Sequence, residues 1–184
     1  MFEIQNFPQI FDILIDGKEH SLSPTDKNIQ TIESCLGIKL PLSFVHFCQR
    51  SKYYSQWFCC LGSKYSSYRS LLKANKYFKR QKRRYSVKSI YKNVRESSGK
   101  HWVNIKPDNF VIIRWGHDDH CLVFDVSKTG SNGEYGLIYW DPGYDIEFRD
   151  SYSDFNTYMQ SFLQYLYEEA DSETKEQCKK YITS

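Results

Sequence analysis

Apolar and polar positions change period along the chain. In SDFNTYMQSFLQYLYEEAD, residues 153–171, Phe155, Tyr158, Met159, Phe162 and Leu166 fall at i, i+3, i+4, i+7 and i+11. That spacing predicts a long amphipathic helix. SPTDKNIQTIESCLG, residues 23–37, predicts another: Ile29, Ile32 and Leu36 form one stripe, and Gly37 supplies a stop. Ser23 can cap it, with Pro24 in the first turn and Asp26 as the capping-box acid. Pro41 opens a second helix, in which Phe44, Phe47 and Cys48 recur at helical spacing. The first 22 residues are mixed. Phe11, Ile13 and Ile15 alternate with other positions, which predicts a short strand or a turn of helix.

From residue 110 the period shortens. NFVIIRW, HCLVFDV and GLIYWD are β-rich runs broken by GHDD and KTGSNGEYG. Three such runs with tight breaks predict an antiparallel meander. WFCCLG, residues 57–62, reads as a further, buried strand. Within 64–106, Tyr68, Leu71, Leu72 and Phe78 suggest one helix, and Val87, Ile90, Tyr91 and Val94 another. A short polar helix closes the chain from Ser172 to Ile182. The predicted order is helix, helix, strand, insertion, three strands, helix. The expectation is an α+β fold: a single antiparallel or mixed sheet packed on one face by the N-terminal helix pair and the C-terminal helix.

Composition agrees with a packed core. The chain has 184 residues, 40% of them hydrophobic and 17% aromatic, enough for one domain over 1–184 with a basic insertion at about 64–106. No signal peptide is legible, and no apolar run approaches the roughly 18 residues that a membrane helix needs. A cytoplasmic protein is expected. The six cysteines lack C-x-x-C spacing and mostly sit in apolar stretches, so they read as buried thiols.

Charge changes the picture more. The net charge is only +3, yet residues 64–106 hold fourteen Lys or Arg against one acid, Glu96. Residues 141–176 hold ten Asp or Glu against Arg149 and Lys175. KRQKRRY, residues 79–85, places Lys79, Arg80, Lys82, Arg83 and Arg84, with Lys88 beyond them, close to Tyr77, Phe78, Tyr85 and Tyr91. Such interleaving fits nucleic acid, with phosphates supplying affinity and rings supplying stacking. It also fits contact with an acidic protein surface, or a solvated face.

WGHDDHCLVFDV, residues 115–126, holds the candidate metal or catalytic cluster. His117, Asp118, Asp119, His120 and Cys121 are all possible ligands. Neighbouring strand residues point to opposite faces, however, and no second ligand group such as H-E-x-x-H occurs. A polar hairpin tip explains the same residues, with Gly116 and the aspartates suited to a turn. No cofactor motif, P-loop or Cys-His signature occurs. DPGY, residues 141–144, reads as a loop exposing Tyr144. Asp141, Asp145 and Glu147 make it an acidic, aromatic rim suited to a basic partner such as a nuclease.

Three stretches carry a family resemblance. IESCLGIKLPLSFVHFCQRS, residues 32–51, resembles the opening helix pair of the SUKH superfamily through Leu40, Pro41, Phe44 and Phe47. NFVIIRWGHDDHCLVFDVS, residues 109–127, is similar to its central hairpin at Gly116, Asp119 and Asp125. SFLQYLYE, residues 161–168, is similar to its closing helix. Where the family usually places an Asn-Gly-Gly turn after its second helix, this chain reads QRSKYYSQ.

The resemblance implies a non-catalytic binding module. Many relatives look like immunity proteins that neutralise a toxin by direct contact; others occur in eukaryotic signalling and in large DNA viruses. The expected partner is a protein, in its most concrete form a toxin domain, with no cofactor and no membrane. The expected contacts are Arg83, Arg84, Asp118, Asp119, Tyr144 and Asp145. The alternative is a nucleic-acid-associated protein using 64–106. A metal-dependent enzyme built on His117 and His120 is a third reading.

Overall fold

The computed structural model describes residues 1–16, 22–54, 71–76, 109–115, 121–130, 132–141 and 147–182. WFCCLG, expected as a strand, and nearly all of the basic segment lie outside them.

The meander expected from the alternating pattern is present and one strand longer. Strands β1 (Phe110–Trp115), β2 (Cys121–Thr129), β3 (Tyr135–Asp141) and β4 (Glu147–Tyr152) form one antiparallel sheet in the order β1-β2-β3-β4. Val111 faces Phe124, which faces Leu137, and this row points at the helices. Ile112 faces Val123, which faces Ile138, and this row belongs to the opposite face. Both rows are buried. The uninterrupted CLVF run of β2 follows from that, because a strand covered on both faces needs apolar residues at every position. The register shifts between Ile112 and Arg114, and again between Asp125 and Thr129. Such bulges let a strand bend around a core. At the second, Asp125 Oδ1 accepts from the Ser127 amide at 3.1 Å and the Ser127 hydroxyl at 2.5 Å.

The first helix resolves the ambiguous N terminus. Helix α1 (Phe7–Ile15) buries Phe7, Pro8, Ile10 and Phe11, so the spacing of Phe7, Ile10 and Phe11 outweighs the alternation of Phe11, Ile13 and Ile15. Proline is tolerated in its first turn because those amides have no intrahelical partner. Helix α2 (Asp26–Leu36) is capped by Thr25, not Ser23. The Thr25 hydroxyl accepts from the Asn28 amide at 3.3 Å, and Asn28 Oδ1 accepts from the Thr25 amide at 3.0 Å. Asparagine at the third position closes the capping box, which leaves Pro24 outside the helix. Gly37 ends it at φ 71°, the left-handed conformation that glycine adopts without strain.

Helix α3 (Leu42–Arg50) buries Phe44, Val45, Phe47 and Cys48. Helix α4 (Phe155–Glu169) buries Phe155, Tyr158, Met159 and Leu163, with Phe162 and Leu166 only partly covered. Its cap is Asp154, which accepts from the Thr157 amide at 2.7 Å. Helix α5 (Ser172–Cys178) is capped by Asp171, whose carboxyl the Thr174 backbone and side-chain hydrogen bonds hold below its ordinary range. A 3₁₀ turn at Lys179–Tyr181 follows, and Ile182 bridges back to Phe2.

Helices and sheet meet through edge-to-face aromatic contacts. The Phe44 ring lies 5.4 Å from Phe124 of the sheet and 5.2 Å from Phe155 of α4. Phe47 lies 5.6 Å from Phe155 and 5.1 Å from Phe11 of α1. Each such pair contributes about 0.5–1.5 kcal/mol beyond area burial.

The outer edge of β1 carries unpaired peptide groups that would otherwise recruit another strand. A helical segment, 71–76, meets it. Asn75 is 3% exposed. Its amide donates to Ile112 C=O at 2.8 Å and accepts from Ile112 N–H at 2.9 Å, so the side chain stands in for a neighbouring strand. Its second donor reaches Leu71 C=O at 2.9 Å. Asn75→Leu keeps the size and removes this pairing. The loss expected is about 2 kcal/mol, or roughly 4–8 °C in melting temperature. Melting curves check it, and an unchanged midpoint would show the amide to be dispensable.

Among the described cysteines, Cys35 is exposed and Cys48, Cys121 and Cys178 are buried. Burial raises the Cys48 thiol far above its ordinary range. It also raises Cys178, with Lys180 pulling the other way. Iodoacetamide should label Cys35 in the native protein and reach the other three only on unfolding. Peptide mapping reads this directly, and native labelling of Cys48 at the rate of Cys35 would contradict the burial.

Candidate functional site

A helix that opens with proline has no side chain to cap its own amides. Pro41 is the N-cap of α3 and makes no side-chain cap bond. An acceptor must come from elsewhere. It comes from the β2–β3 turn: Glu134 accepts from the Ser43 amide at 3.1 Å and takes a short hydrogen bond from the Ser43 hydroxyl. The carboxylate also meets the positive end of the helix dipole.

The turn is shaped to deliver this side chain. The Gly130 amide donates to Glu134 C=O at 2.8 Å, and the Glu134 amide donates to Asn132 Oδ1 at 3.1 Å. Gly133 lies at φ 78°, where glycine is favoured. Glu134 is 7% exposed, and no described basic group pairs with it.

The other end of α3 is pinned in the same way. Asp12 of α1 accepts from the Ser51 hydroxyl at 2.6 Å, the Lys52 amide at 2.8 Å and the Tyr53 amide at 3.2 Å. Glu33 of α2 holds the incoming loop, accepting from the Leu40 amide at 3.0 Å and Lys39 Nζ at 2.6 Å. Three carboxylates on three different elements therefore fix α3 in position.

Beside Glu134 opens a cleft of about 460 Å³ between the starts of α1 and α4 and one face of α3, from Ser43 to Arg50. Phe7, Pro8, Phe47 and Phe155 supply its apolar lining, and all four are buried. Glu134 and Ser43 lie on one side, and Gln5 and Asn156 add neutral polar groups. His46 and Arg50 are exposed on the rim, and Ile4, 59% exposed, is at the lip. The arrangement joins aromatic rings and a nearly buried carboxylate within one concave surface. Chemically it is equipped to bind, with a hydrogen-bond acceptor at depth and titratable or cationic groups at the edge.

The sequence-predicted contact residues are not among the lining residues that the structure describes. Arg83, Arg84, Asp118, Asp119, Tyr144 and Asp145 lie outside the described residues, as do His117 and His120. The strands that flank them are described. Trp115 pairs with Cys121, Cys121 with Trp140, and Trp140 with Phe148. The strand ends bounding 116–120 and 142–146 therefore lie at one end of the sheet, and the turn bearing Glu134 lies at the other. Glu147, expected in the acidic loop, opens β4 instead. Among the described residues, no three His, Cys, Asp or Glu converge as a metal site requires. No described helix is long and apolar enough to cross a membrane.

Glu134 and Ser43 were not legible as partners in the sequence. The usable signal is indirect: a proline-opened helix lacks a local cap, and an acid stands in a glycine-rich hairpin turn 91 residues away.

Comparison with known proteins agrees with the resemblance. The model of the SMI1/KNR4 family (SUKH-1) matches residues 23–161. The match runs from the cap of α2 through the sheet into the first turns of α4, and it excludes α1 and α5. No curated protein matches the chain. The match takes in the helix pair and the whole meander, over about three-quarters of the sequence, and the chain belongs to the SMI1/KNR4 family (SUKH-1).

Proposed function

We propose that this protein is a non-catalytic protein-binding module, in its most concrete form an immunity protein that occludes a toxin's active site or substrate groove. The observation that carries the reading is membership of the SUKH-1 family over 23–161. The proposed contacts are Asp118, Asp119, Tyr144 and Asp145, together with Arg83 and Arg84 of the basic segment. The strands bounding the first four end together at one end of the meander, which favours a single contact region. Acidic side chains there would complement a toxin whose own surface is basic because it handles phosphates, as a nuclease's is.

Affinity capture from native lysate, with nuclease treatment and at moderate and high salt, tests the module. One protein retained through both supports the reading and identifies the partner. A mixture lost on nuclease treatment sinks it. With the partner in hand, Asp118→Lys combined with Asp119→Lys should weaken binding by about 2 kcal/mol or more, roughly thirtyfold. Calorimetry measures this, and unchanged affinity would remove that loop from the interface.

A second reading rests on residues 64–106, where fourteen basic residues stand among aromatics. If they hold nucleic acid, an electrophoretic shift with RNA or DNA should appear at about 50 mM salt and fade steeply as salt rises. Absence of any shift at low salt would end that reading.

A further inference from the structure

We propose that the cleft at the start of α3 receives an arginine side chain of the protein partner, its guanidinium on Glu134 and its stem against the phenyl rings. This rests on the protein-binding reading and adds to it a second contact, at the opposite end of the sheet from the loops discussed above.

Glu134 is the first reason. It is more than nine-tenths buried, and Ser43 is the residue that satisfies it. Each carboxylate oxygen accepts one hydrogen bond there, although a carboxylate has about four acceptor positions. The helix N-terminus offsets only part of a full negative charge. A buried carboxylate with spare lone pairs beside a cleft favours a donor that brings positive charge.

The aromatic floor selects the kind of cation. Phe7, Phe47 and Phe155 back the same cleft, each no more than 2% exposed, and an apolar wall suits the methylene stem of arginine. Arginine is also the less strongly hydrated of the basic side chains and the one that pairs with a carboxylate through two parallel bonds. Lysine would lose more hydration and gain one bond fewer. Shape agrees, because a cleft of about 460 Å³ accepts one long side chain and its flanking backbone.

The rim sets what flanks that arginine. His46 and Arg50 stand on α3 four residues apart, both exposed, and Arg50 forms no ion pair among the described residues. They do not neutralise Glu134, which is bonded to Ser43 three residues before His46. Instead Arg50 presents positive charge to the solvent side, where an acidic neighbour of the incoming arginine would sit.

The probe is N-acetyl-arginine methylamide, titrated into the ¹⁵N-labelled full chain while amide resonances are recorded. Saturable shifts should centre on Ser43, Phe47 and Asn156, with a dissociation constant of about 1 mM, which is what ligand efficiency permits a molecule of this size. The citrulline analogue, equal in shape and uncharged, should bind at least about fivefold more weakly. Glu134→Gln should weaken the arginine probe by the same factor while keeping a cap for Ser43, so its melting midpoint should hold. Lys27→Ala, exposed on α2 and outside the cleft, should not weaken it.

Three results would overturn the proposal. They are equal shifts with citrulline, no saturable shift by about 50 mM, a concentration well above that dissociation constant, or a preference for N-acetyl-aspartate methylamide centred on His46 and Arg50. The two readings fail separately. If the captured partner binds the Glu134→Gln variant as tightly as the parent, the cleft is not part of the interface and the module reading stands. If the probe behaves as expected and capture retains no protein, the cleft stands and the module reading falls.

Discussion

A helix opened by proline needs its first amides satisfied from outside, and in this protein that need organises the structure. Glu134 meets it from a turn 91 residues away. Without that carboxylate the Ser43 amide would face a largely buried region with no acceptor, at a cost of about 1–3 kcal/mol. The bond also fixes where α3 lies along the sheet. Phe44 and Phe47 follow within its first turns, and their edge-to-face contacts reach β2, α4 and α1. A shift of α3 by one turn would carry Phe44 about 5.4 Å along the axis and break the contacts with Phe124 and Phe155. Hydrogen bonds at the helix ends therefore specify a register that hydrophobic burial alone would leave loose.

The same logic explains the two other acids. Asp12 gathers the Ser51 hydroxyl and two successive amides just beyond the C-terminus of α3, and Glu33 holds the loop before it. Both lie within a few tens of residues of their targets and hold the three N-terminal helices as one unit. Glu134 differs by joining that unit to the sheet. The family match begins at residue 23 and so includes α2, α3 and the turn, but not α1. The floor of the cleft is thus shared between the family's own elements and a helix that precedes them, since Phe7 and Pro8 belong to α1.

Much of the fold was legible because its elements carry their own period. α2, α3 and α4 show helical spacing, and β1, β2 and β3 are dense in branched and aromatic residues. What escaped has particular causes. FPQIFDILI carries apolar residues at both two- and three-residue intervals, so its alternation competed with its helical stripe, and burial of Phe7, Ile10 and Phe11 decided it. Thr25 outranked Ser23 as cap because Asn28 stood three residues after it to return the hydrogen bond. EFRDSY mixes charged, polar and aromatic residues without a clear period, as exposed loops do, and only pairing with β3 reveals a strand. Asn75 resembles any polar residue in a basic segment, although its role is to finish an edge strand 37 residues later.

The candidate contacts divide along the same line. Charged stretches such as HDDH and DPGY announce themselves in a sequence because they interrupt β-rich runs, so sequence reasoning finds them as turns between strands. A cleft lined by phenylalanines does not announce itself, because each ring also satisfies the demand for a core. Phe47 packs against Phe11 and Phe155 while lining the cleft, and Glu134 caps a helix while facing it. Rings with two duties of this kind tolerate little change, since a substitution that altered recognition would also disturb packing, and at Glu134 only a replacement that keeps the Ser43 cap separates the two. Rim residues such as His46 and Arg50 carry no such burden. Variation in partner among proteins with this cleft is therefore expected to concentrate on the exposed stripe of α3, with the carboxylate and the rings beneath it held by the fold itself.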